Sequence, residues 1–307
     1  MNALLRPLAV STAFSAALLA LATSASAQAP AAAPAQGGTD FSKIEVKTTK
    51  IAGNFYTLEG SGGTIGVLAG PDGVFMVDSQ FAPLTDKIVA AIKQISDGRI
   101  RFMVNTHVHG DHTGGNENLG KLGVTILSRE QLRARLAGAP KPAPPAALPT
   151  ITYNAPVTIN MNGEAIQLIP VPTAHTDGDT MVYFPTADVI MTGDFFRSVG
   201  YPFPDRNNGG TFKGLIDGLN QIVALAKPTT KIIPGHGPIV DKNAVAAHRD
   251  MALAVQTKVA ALVKQGKTPD EIVAAKVTAD TDGKVDPGGN SSERFVRALA
   301  TEAAGTK

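Results

Sequence analysis

The chain has 307 residues, of which 43% are hydrophobic and 18% are charged, so it is long enough and apolar enough to bury a core. Twenty-eight basic and 26 acidic residues give a net charge of +2, which argues against a nucleic-acid partner. There is no Cys in the chain, and this excludes disulfides, thiolate metal sites and a Cys nucleophile. The composition is therefore that of a globular protein.

The first 27 residues have the pattern of a cleaved export signal. Arg6 precedes an apolar stretch from Leu8 to Ala22, and Ala25-Ser26-Ala27 matches the small-residue pattern of a cleavage site. The apolar stretch is shorter than the ~20 residues that span a bilayer, so we expect cleavage rather than a membrane anchor. The sequence thus predicts a mature protein that starts at Gln28 and is periplasmic or secreted, without stable insertion in the membrane.

Residues 28–40 are rich in Ala, Pro, Gly and Gln and are predicted to form a disordered linker before a single domain at 41–307. This domain begins with short β-rich runs at 44–48, 54–58, 64–68 and 74–78. The elements predicted next are a helix at 84–95, a strand at 101–105, a strand at 124–128, a helix at 129–137 and an exposed crossover loop at 138–149.

A second, similar series of elements starts near Thr150. Its predicted strands are 151–153, 156–160, 164–170, 181–185, 188–192 and 231–234. Its predicted helices are 211–226 and 242–264, followed by C-terminal helices at 268–276 and 291–303. Two successive runs of strands followed by helices indicate a layered α/β architecture.

Three of the six histidines fall within six residues, as His107-Val108-His109-Gly110-Asp111-His112. In extended backbone, positions i and i+2 point the same way, so His107 and His109 can bind one cation together. Asp111 and His112 follow the flexible Gly110 and can turn toward a second cation beside the first. The alternative is a set of surface histidines near a turn, which this spacing disfavours.

Three more polar residues follow predicted strands, and we expect them at the same edge of a sheet as the cluster. They are His175, Asp194 and His236, each within or beside a Gly-containing turn. Taken singly, Asp194 can be a helix cap and His175 a packed turn residue. His248 differs from these, because it lies inside the predicted helix 242–264 and is expected on a solvent-exposed face, where replacement by Ala changes little.

The motif His107-x-His109-x-Asp111-His112, followed by His175, Asp194 and His236, resembles in order and context the full ligand set of the metallo-β-lactamase-fold hydrolase superfamily. The resemblance covers about residues 43–240. It implies an α/β fold, a four-layer αββα sandwich with a metal site at the sheet edge between two similar halves.

By position, the resemblance also implies how the ligands divide between two metals. One metal is held by His107, His109 and His175, and the second by Asp111, His112 and His236. Asp194 bridges the two.

Nitrogen and oxygen ligands without sulfur suit Zn²⁺, and we predict two zinc ions per chain, although Fe²⁺ and Mn²⁺ also fit such ligands. Two metals ~3.5–4 Å apart can share one hydroxide and lower the pKa of its parent water towards ~7. Asp111 can accept a hydrogen bond from this nucleophile and orient it, which makes it the predicted catalytic residue. The predicted activity is metal-dependent hydrolysis of an ester, thioester, lactone or amide bond in a small-molecule substrate.

Two other activities stay open, namely a class B-like β-lactamase and a mononuclear iron oxygenase of the persulfide dioxygenase kind. Many dedicated β-lactamases of the superfamily have Cys at the position of Asp194 or lack a bridging carboxylate there, so Asp194 favours the general hydrolase branches. The short Gly60–Gly63 turn gives no sign of the long flap of some lactamases. The complete second ligand set counts against the oxygenase, and export argues against glutathione thioesters and transfer-RNA processing.

The segment from Phe195 to Phe203 follows Asp194 and is expected to border the substrate pocket. It contains Arg197 and Tyr201. Arg197 is predicted either to bind a substrate carboxylate or to lie at the surface, where it can pair with Asp205.

Overall fold

The computed structural model describes residues 39–289 and 291–305. The predicted export signal and nearly all of the predicted linker lie outside these residues. From Asp40 onward the chain forms one compact unit. Among the described residues, no helix is both long enough and apolar enough to cross a bilayer.

The first sheet has seven strands that lie side by side in chain order. Strands β1 to β4 are antiparallel neighbours, whereas β4 to β7 are parallel and are connected through helices. The strands are β1 (Lys47–Ala52), β2 (Phe55–Glu59), β3 (Ile65–Gly70), β4 (Gly73–Val77), β5 (Ile100–Val104), β6 (Thr125–Arg129) and β7 (Ile151–Tyr153).

The second sheet has five strands in the order β12-β11-β10-β9-β8. Its strands are antiparallel neighbours except for β11 and β12, which run parallel. The strands are β8 (Val157–Met161), β9 (Glu164–Pro170), β10 (Thr180–Phe184), β11 (Val189–Met191) and β12 (Lys231–Ile233).

Helices cover the outer faces of both sheets. In chain order they are α1 (Thr85–Lys93), α2 (Gly110–Thr113), α3 (Asn116–Lys121), α4 (Glu130–Gly138), α5 (Phe212–Leu225), α6 (Lys242–Lys264), α7 (Pro269–Ala274), α8 (Asp282–Val285) and α9 (Ser292–Gly305).

Three apolar clusters define four layers. One lies between the two sheets and includes Phe55, Phe75 and Phe184. A second joins the outer face of the first sheet to α1 and α3, and a third joins the outer face of the second sheet to α5 and α6. Strand β4 is buried along its whole length, as a strand covered on both faces must be. The αββα sandwich expected from the resemblance is thereby confirmed.

A fourth apolar cluster holds the C-terminal helices together. It joins α6, α7 and α9 to Tyr201, which is fully buried although it belongs to the segment after Asp194. Helix α7 begins with a capping box between Thr268 and Glu271, with Pro269 at the first helical position. The C-terminal helices are therefore packed on the domain through a residue close to the predicted site.

The structure changes three local expectations. Strand β7 was expected to open the second half, but it pairs with β6 in the first sheet because α4 forms a crossover connection between them. The loop expected to be exposed at 138–149 is buried at Ala147 and Pro149. Helices α2, α3 and α8 were not predicted, because four to six residues are too few to show helical periodicity and none of these three helices has a side-chain cap at its start.

The expectation for His248 is wrong. Its ring packs edge-on against Phe196 with 5.4 Å between the ring centroids, and burial together with the charge of Arg197 lowers its pKa to about 4. Val245 and Ala252, which lie one helical turn before and after it, are buried on the same face of α6. The Ala variant of His248 is therefore not a neutral substitution, and other residues serve better as controls.

The cluster between the sheets yields a first prediction. Phe184 is fully buried and contacts Phe55 and Phe75, with ring centroids 4.6 and 6.2 Å away. We expect Phe184→Ala to lower the free energy of unfolding by about 3–5 kcal/mol, because it leaves a cavity between the sheets. Urea unfolding followed by circular dichroism measures this. Leu122→Ala, at a side chain that is 63% exposed, should change it by less than about 0.5 kcal/mol; equal effects would contradict the assigned core.

Candidate metal centre

Three of the candidate ligands follow strand ends in the same way. His107, Asp194 and His236 each lie three residues beyond the end of a strand, namely β5, β11 and β12. Strands β11 and β12 are parallel, so their carboxyl ends emerge at the same edge of the second sheet. The topology thus brings residues that are far apart in sequence to one end of the sandwich.

The first group of side chains consists of His107, His109 and His175. The Nδ1 atom of His109 lies 3.2 Å from Nε2 of His107 and 3.0 Å from Nε2 of His175. Three imidazole nitrogens therefore converge on one point, with the carboxylate of Asp194 beside them.

The second group consists of Asp111, His112 and His236. The Oδ2 atom of Asp111 lies 3.0 Å from Nε2 of His236 and 3.6 Å from Nε2 of His112. Helix α2, only four residues long, begins directly after His109 and contains Asp111 and His112. The two groups are therefore adjacent but separate.

The Asp194 carboxylate lies between the groups. Its Oδ1 is 3.3 Å from Nε2 of His112, and its Oδ2 is 3.4 Å from Nε2 of His236 and 3.9 Å from Nε2 of His175. The structure therefore brings together all seven residues that the sequence singled out, with Asp194 in the position of a bridge.

The donor atoms of these residues fit metal ions. Within each group, the ligand atoms lie within 4.8 Å of one another. Nε2 of His112 and Oδ1 of Asp194 are buried and have no hydrogen-bond partner among the described residues. A buried polar atom without a partner is costly, and a bound cation would satisfy both atoms. The oxygen and nitrogen set suits Zn²⁺, with the carboxylates balancing the charge of two ions.

Asp78 supports the second group, and the sequence analysis missed it. Its Oδ2 accepts hydrogen bonds from Nδ1 of His112 and Oγ1 of Thr106, both at 2.7 Å, and its Oδ1 accepts one from the Thr106 backbone N–H. Asp78 follows β4 directly and has a φ of 63°, in the left-handed region that few non-glycine residues adopt. Like the ligands, Asp78 is a polar residue that follows the end of an apolar strand, so the same sequence pattern indicates it.

The segment after Asp194 supports the first group, and this too was missed. Nδ1 of His175 donates a hydrogen bond to the Phe203 carbonyl at 2.6 Å, and Asp205 Oδ2 lies 2.7 Å from Nε2 of His109. Asp205 therefore does not serve as the partner of Arg197 that the sequence left open. Its place next to His109 is set by tertiary packing across 96 residues of sequence, which no local pattern reveals.

Two glycine turns leave room for the ligands. A Cβ atom on Gly63 would overlap the ring of His112, and one on Gly235 would overlap Oδ1 of Asp194. The Gly63 N–H also donates to the carbonyl of Asp111 at 3.1 Å. Small residues are therefore required on both sides of the centre.

Burial keeps two rings of the first group, those of His107 and His175, uncharged. Burial, reinforced by the neighbouring imidazoles, holds the pKa of His107 well below its usual range and lowers the pKa of His175 to about 4. Both rings are therefore unprotonated at neutral pH. Unprotonated nitrogens are what a metal ion requires.

The second group has the opposite character. Burial opposes protonation of both His112 and His236. At His112 the charges of Asp194 and Asp78 outweigh burial, and at His236 the hydrogen bonds to Asp111 and Asp194 do so. The pKa of His112 is raised well above its usual range and that of His236 to about 9. Burial also opposes ionisation of Asp194, yet the surrounding imidazoles lower its pKa well below its usual value. Without metal, protons thus hold the second group together.

The remaining residues of the segment after Asp194 divide between two roles. Tyr201 does not border the pocket, because its ring is fully buried against the C-terminal helices. Arg197 is half-buried, and its Nε is buried without a hydrogen-bond partner among the described residues. The Arg294 guanidinium lies 3.9 Å above the ring of Phe203, and burial together with the charge of Arg197 lowers its pKa. Two cationic side chains therefore lie close to each other near the first group.

Comparison with known proteins agrees with this geometry. The model of the metallo-beta-lactamase superfamily matches residues 58–236. A hydroxyacylglutathione hydrolase of Nitrosococcus oceani is 30% identical over 160 residues, which are 50% of this chain and 55% of that protein. The chain thus spans about half the length of the curated relatives it matches.

Two solved structures share the fold. A metallo-beta-lactamase from Pontibacter korlensis has a TM-score of 0.58 at 18% identity, over 67% of this chain and 99% of that one. The stereoselective inverting sec-alkylsulfatase Pisa1 from Pseudomonas sp. has a TM-score of 0.67 at 17% identity, over 84% of this chain and 50% of that one. At such identities the likeness shows the fold alone. The family match, which covers more than half of the chain and contains all seven candidate ligands, shows that this protein belongs to the metallo-beta-lactamase superfamily.

Proposed function

We propose that this protein is an exported hydrolase that uses two zinc ions to cleave an ester, thioester, lactone or amide bond in a small molecule. The observation that carries the proposal is the position of Asp194, whose carboxylate lies within 4 Å of nitrogens from both ligand groups. A bridging carboxylate neutralises part of the repulsion between two cations and fixes their spacing.

Each group of side chains has a role in this reaction. Zinc ions bound there would lower the pKa of a water molecule towards ~7 and polarise the oxygen of the scissile bond. Asp111 has its Oδ2 at the exposed side of the second group, where it can accept a hydrogen bond from the attacking water and orient it. The chain therefore needs no Ser or Cys nucleophile.

A cleft beside His236 gives a substrate access to the centre. It has a volume of about 250 Å³ and is lined by the glycine turn after β2 and by the turn that carries His236. The loop between β2 and β3 is only five residues long and contacts Asp111, so it forms no flap over the cleft. The open cleft supports a general hydrolase rather than an enzyme that closes over a β-lactam ring.

The charge near the centre supports an anionic substrate. The Nε of Arg197 is buried and has no hydrogen-bond partner in the described part of the chain, and Arg294 lies over Phe203, whose ring centroid is 5.6 Å from that of His175. A carboxylate or similar anion on the substrate would pair with these arginines. The relative in Nitrosococcus oceani, named a hydroxyacylglutathione hydrolase, supports hydrolysis as the reaction class.

The substitution Asp194→Asn tests the bridge directly. It keeps the size of the side chain and removes its charge, so zinc binding at saturation should fall from two equivalents to about one. Turnover should fall by more than the 10–100-fold that is typical when a residue behind a metal ligand is replaced. Metal analysis after equilibrium dialysis and kcat for a chromogenic ester, a lactone, a phosphodiester and a cephalosporin measure both effects.

Asp217→Asn is the matched control, because Asp217 pairs with Lys213 on the surface of α5. It should bind two equivalents and keep full turnover. If Asp194→Asn binds two zinc equivalents tightly and keeps its turnover, Asp194 does not bridge the two ions. A kcat/KM for the cephalosporin far above that for every ester and lactone would instead identify a β-lactamase.

The pKa values of His112 and His236 are raised whereas those of His107 and His175 are lowered, and this difference predicts a pH dependence of metal binding. At pH 7 the second group carries protons, since the pKa of His236 is about 9 and that of His112 is also raised, and zinc must displace them. The affinity for one of the two equivalents should therefore rise as the pH rises towards about 9. The affinity for the other zinc equivalent should change little over this pH range, because the pKa of its ligand His175 is about 4.

Calorimetric zinc titrations in two buffers with different ionisation enthalpies separate these steps and count the protons released. Proton release should accompany one equivalent and not the other. Two equivalents with the same dependence on pH would contradict the assigned charge states.

Export is part of the proposal and rests on the sequence of residues 1–27. Expression of the full chain in a Gram-negative host should give a periplasmic protein whose first residue is Gln28. N-terminal sequencing of the periplasmic fraction measures this. Protein that keeps Met1 and stays in the cytoplasm would overturn the proposed export and leave the proposed chemistry unaffected.

A further inference from the structure

The segment Gly200–Asp205 connects the C-terminal helices to the metal centre. The superfamily match ends at residue 236, so helices α6 to α9 lie beyond it. The segment touches these helices at one end and two candidate ligands at the other.

The attachment to the C-terminal helices is made by Gly200 and Tyr201. The Gly200 N–H donates to the Val285 carbonyl at 2.6 Å, and the Tyr201 N–H donates to Oγ of Ser291 at 2.8 Å. The Tyr201 hydroxyl bonds to Oγ1 of Thr281 at 2.6 Å and to a carboxylate oxygen of Asp282 at 2.9 Å. Tyr201 also stacks on Phe295 of α9, with 5.4 Å between the ring centroids.

The attachment to the metal centre is made by Phe203 and Asp205. The Phe203 carbonyl accepts from Nδ1 of His175, and the Asp205 N–H donates to the carbonyl of His175 at 2.8 Å. Oδ2 of Asp205 accepts from Nε2 of His109 at 2.7 Å. The segment therefore accepts a hydrogen bond from each of these two rings. In both rings the donor is the nitrogen that points away from the ligand group.

These bonds decide which ring nitrogen carries the hydrogen. A carbonyl and a carboxylate only accept, so His175 has its hydrogen on Nδ1 and His109 has its hydrogen on Nε2. The lone pairs of Nε2 of His175 and Nδ1 of His109 then both point into the first ligand group, where these two atoms lie 3.0 Å apart. A histidine ligand with the other tautomer would present an N–H to the metal.

We propose that Asp205 is a positioning residue that fixes the tautomer and orientation of His109, and that the C-terminal helices hold it in place through Tyr201. This inference rests on the proposed metal centre. It also assigns a purpose to the C-terminal helices, namely to support the first ligand group from outside the part of the chain that the superfamily match covers.

The substitution Asp205→Asn is the sharpest test of the proposal. Oδ1 of Asp205 caps the turn at Arg206–Asn208 by accepting from the Asn207 and Asn208 N–H groups, while Oδ2 accepts from Nε2 of His109 and from Nδ2 of Asn208, both at 2.7 Å. Asn has only one acceptor oxygen, so the variant can retain the cap while it places an NH₂ group against His109. Asp205→Glu restores the carboxylate, and Asp217→Asn is the matched surface control.

In the metal-free protein, nitrogen-15 NMR of the histidine rings reports the tautomer of His109. We expect a single Nε2–H form in the unmodified chain, in Asp217→Asn and in Asp205→Glu, and a mixture of forms in Asp205→Asn. An unchanged His109 signal in Asp205→Asn would overturn the proposal. Because this measurement needs no zinc, it tests the inference even where the proposed zinc chemistry fails.

Competition with a chromophoric chelator measures zinc affinity. Asp205→Asn should weaken one of the two equivalents by about 10–100-fold and leave the other unchanged, as is typical when the residue behind a ligand is lost. Asp205→Glu should recover part of that affinity. If Asp205 only stabilises the turn, the variant will lower the thermal midpoint of the metal-free protein while zinc affinity and the His109 signal stay the same, and the proposal is then wrong.

Tyr201→Phe tests the role of the C-terminal helices. It keeps the stacking on Phe295 and removes the hydroxyl bonds to Thr281 and Asp282. We expect weaker binding of the same zinc equivalent that Asp205→Asn weakens, but by a smaller factor. Tyr56→Phe on β2 should leave zinc affinity unchanged. Full zinc affinity in Tyr201→Phe, with a weakened Asp205→Asn, would overturn the part of the proposal that concerns the helices.

Discussion

The burial of the Asp194 carboxylate between two groups of imidazoles is the constraint on which the centre depends. A buried carboxylate must be paired, and this one lies 3.3, 3.4 and 3.9 Å from nitrogens of His112, His236 and His175, farther than in a well-formed hydrogen bond. In the metal-free chain, protons on the second group balance its charge. Two cations would do so more completely and would also satisfy the buried nitrogen of His112, which otherwise has no partner among the described residues.

The fold meets this constraint from both sheets. The first sheet contributes the cluster after β5, with Asp78 after β4 fixing His112. The second sheet contributes Asp194 and His236 after β11 and β12, and the following segment fixes His109 and His175 through Asp205 and Phe203. Each of these three histidines is therefore oriented by a partner on its outer nitrogen, so that its inner nitrogen faces the centre without rearrangement.

Much of this arrangement can be predicted from sequence, for a physical reason. Strand ends at one edge of a sheet meet in space, so polar residues such as His107, Asp194 and His236, which follow apolar runs, identify the site without knowledge of the packing. Asp205 gives no such signal, because its contact with His109 depends on the path of a loop between the second sheet and the C-terminal helices. His248 was misplaced because its charged neighbours suggested solvent, although its spacing from Val245 and Ala252 places it on the buried face of α6.

The central claim is that Asp194 bridges two metal ions, and anomalous diffraction from crystals of the zinc-loaded protein tests it most directly. The account predicts two zinc peaks about 3.5–4 Å apart. One peak should lie among His107, His109 and His175 and the other among Asp111, His112 and His236, with an oxygen of Asp194 bound to each. A single peak at full zinc occupancy, or two peaks with Asp194 bound to neither, would contradict the account.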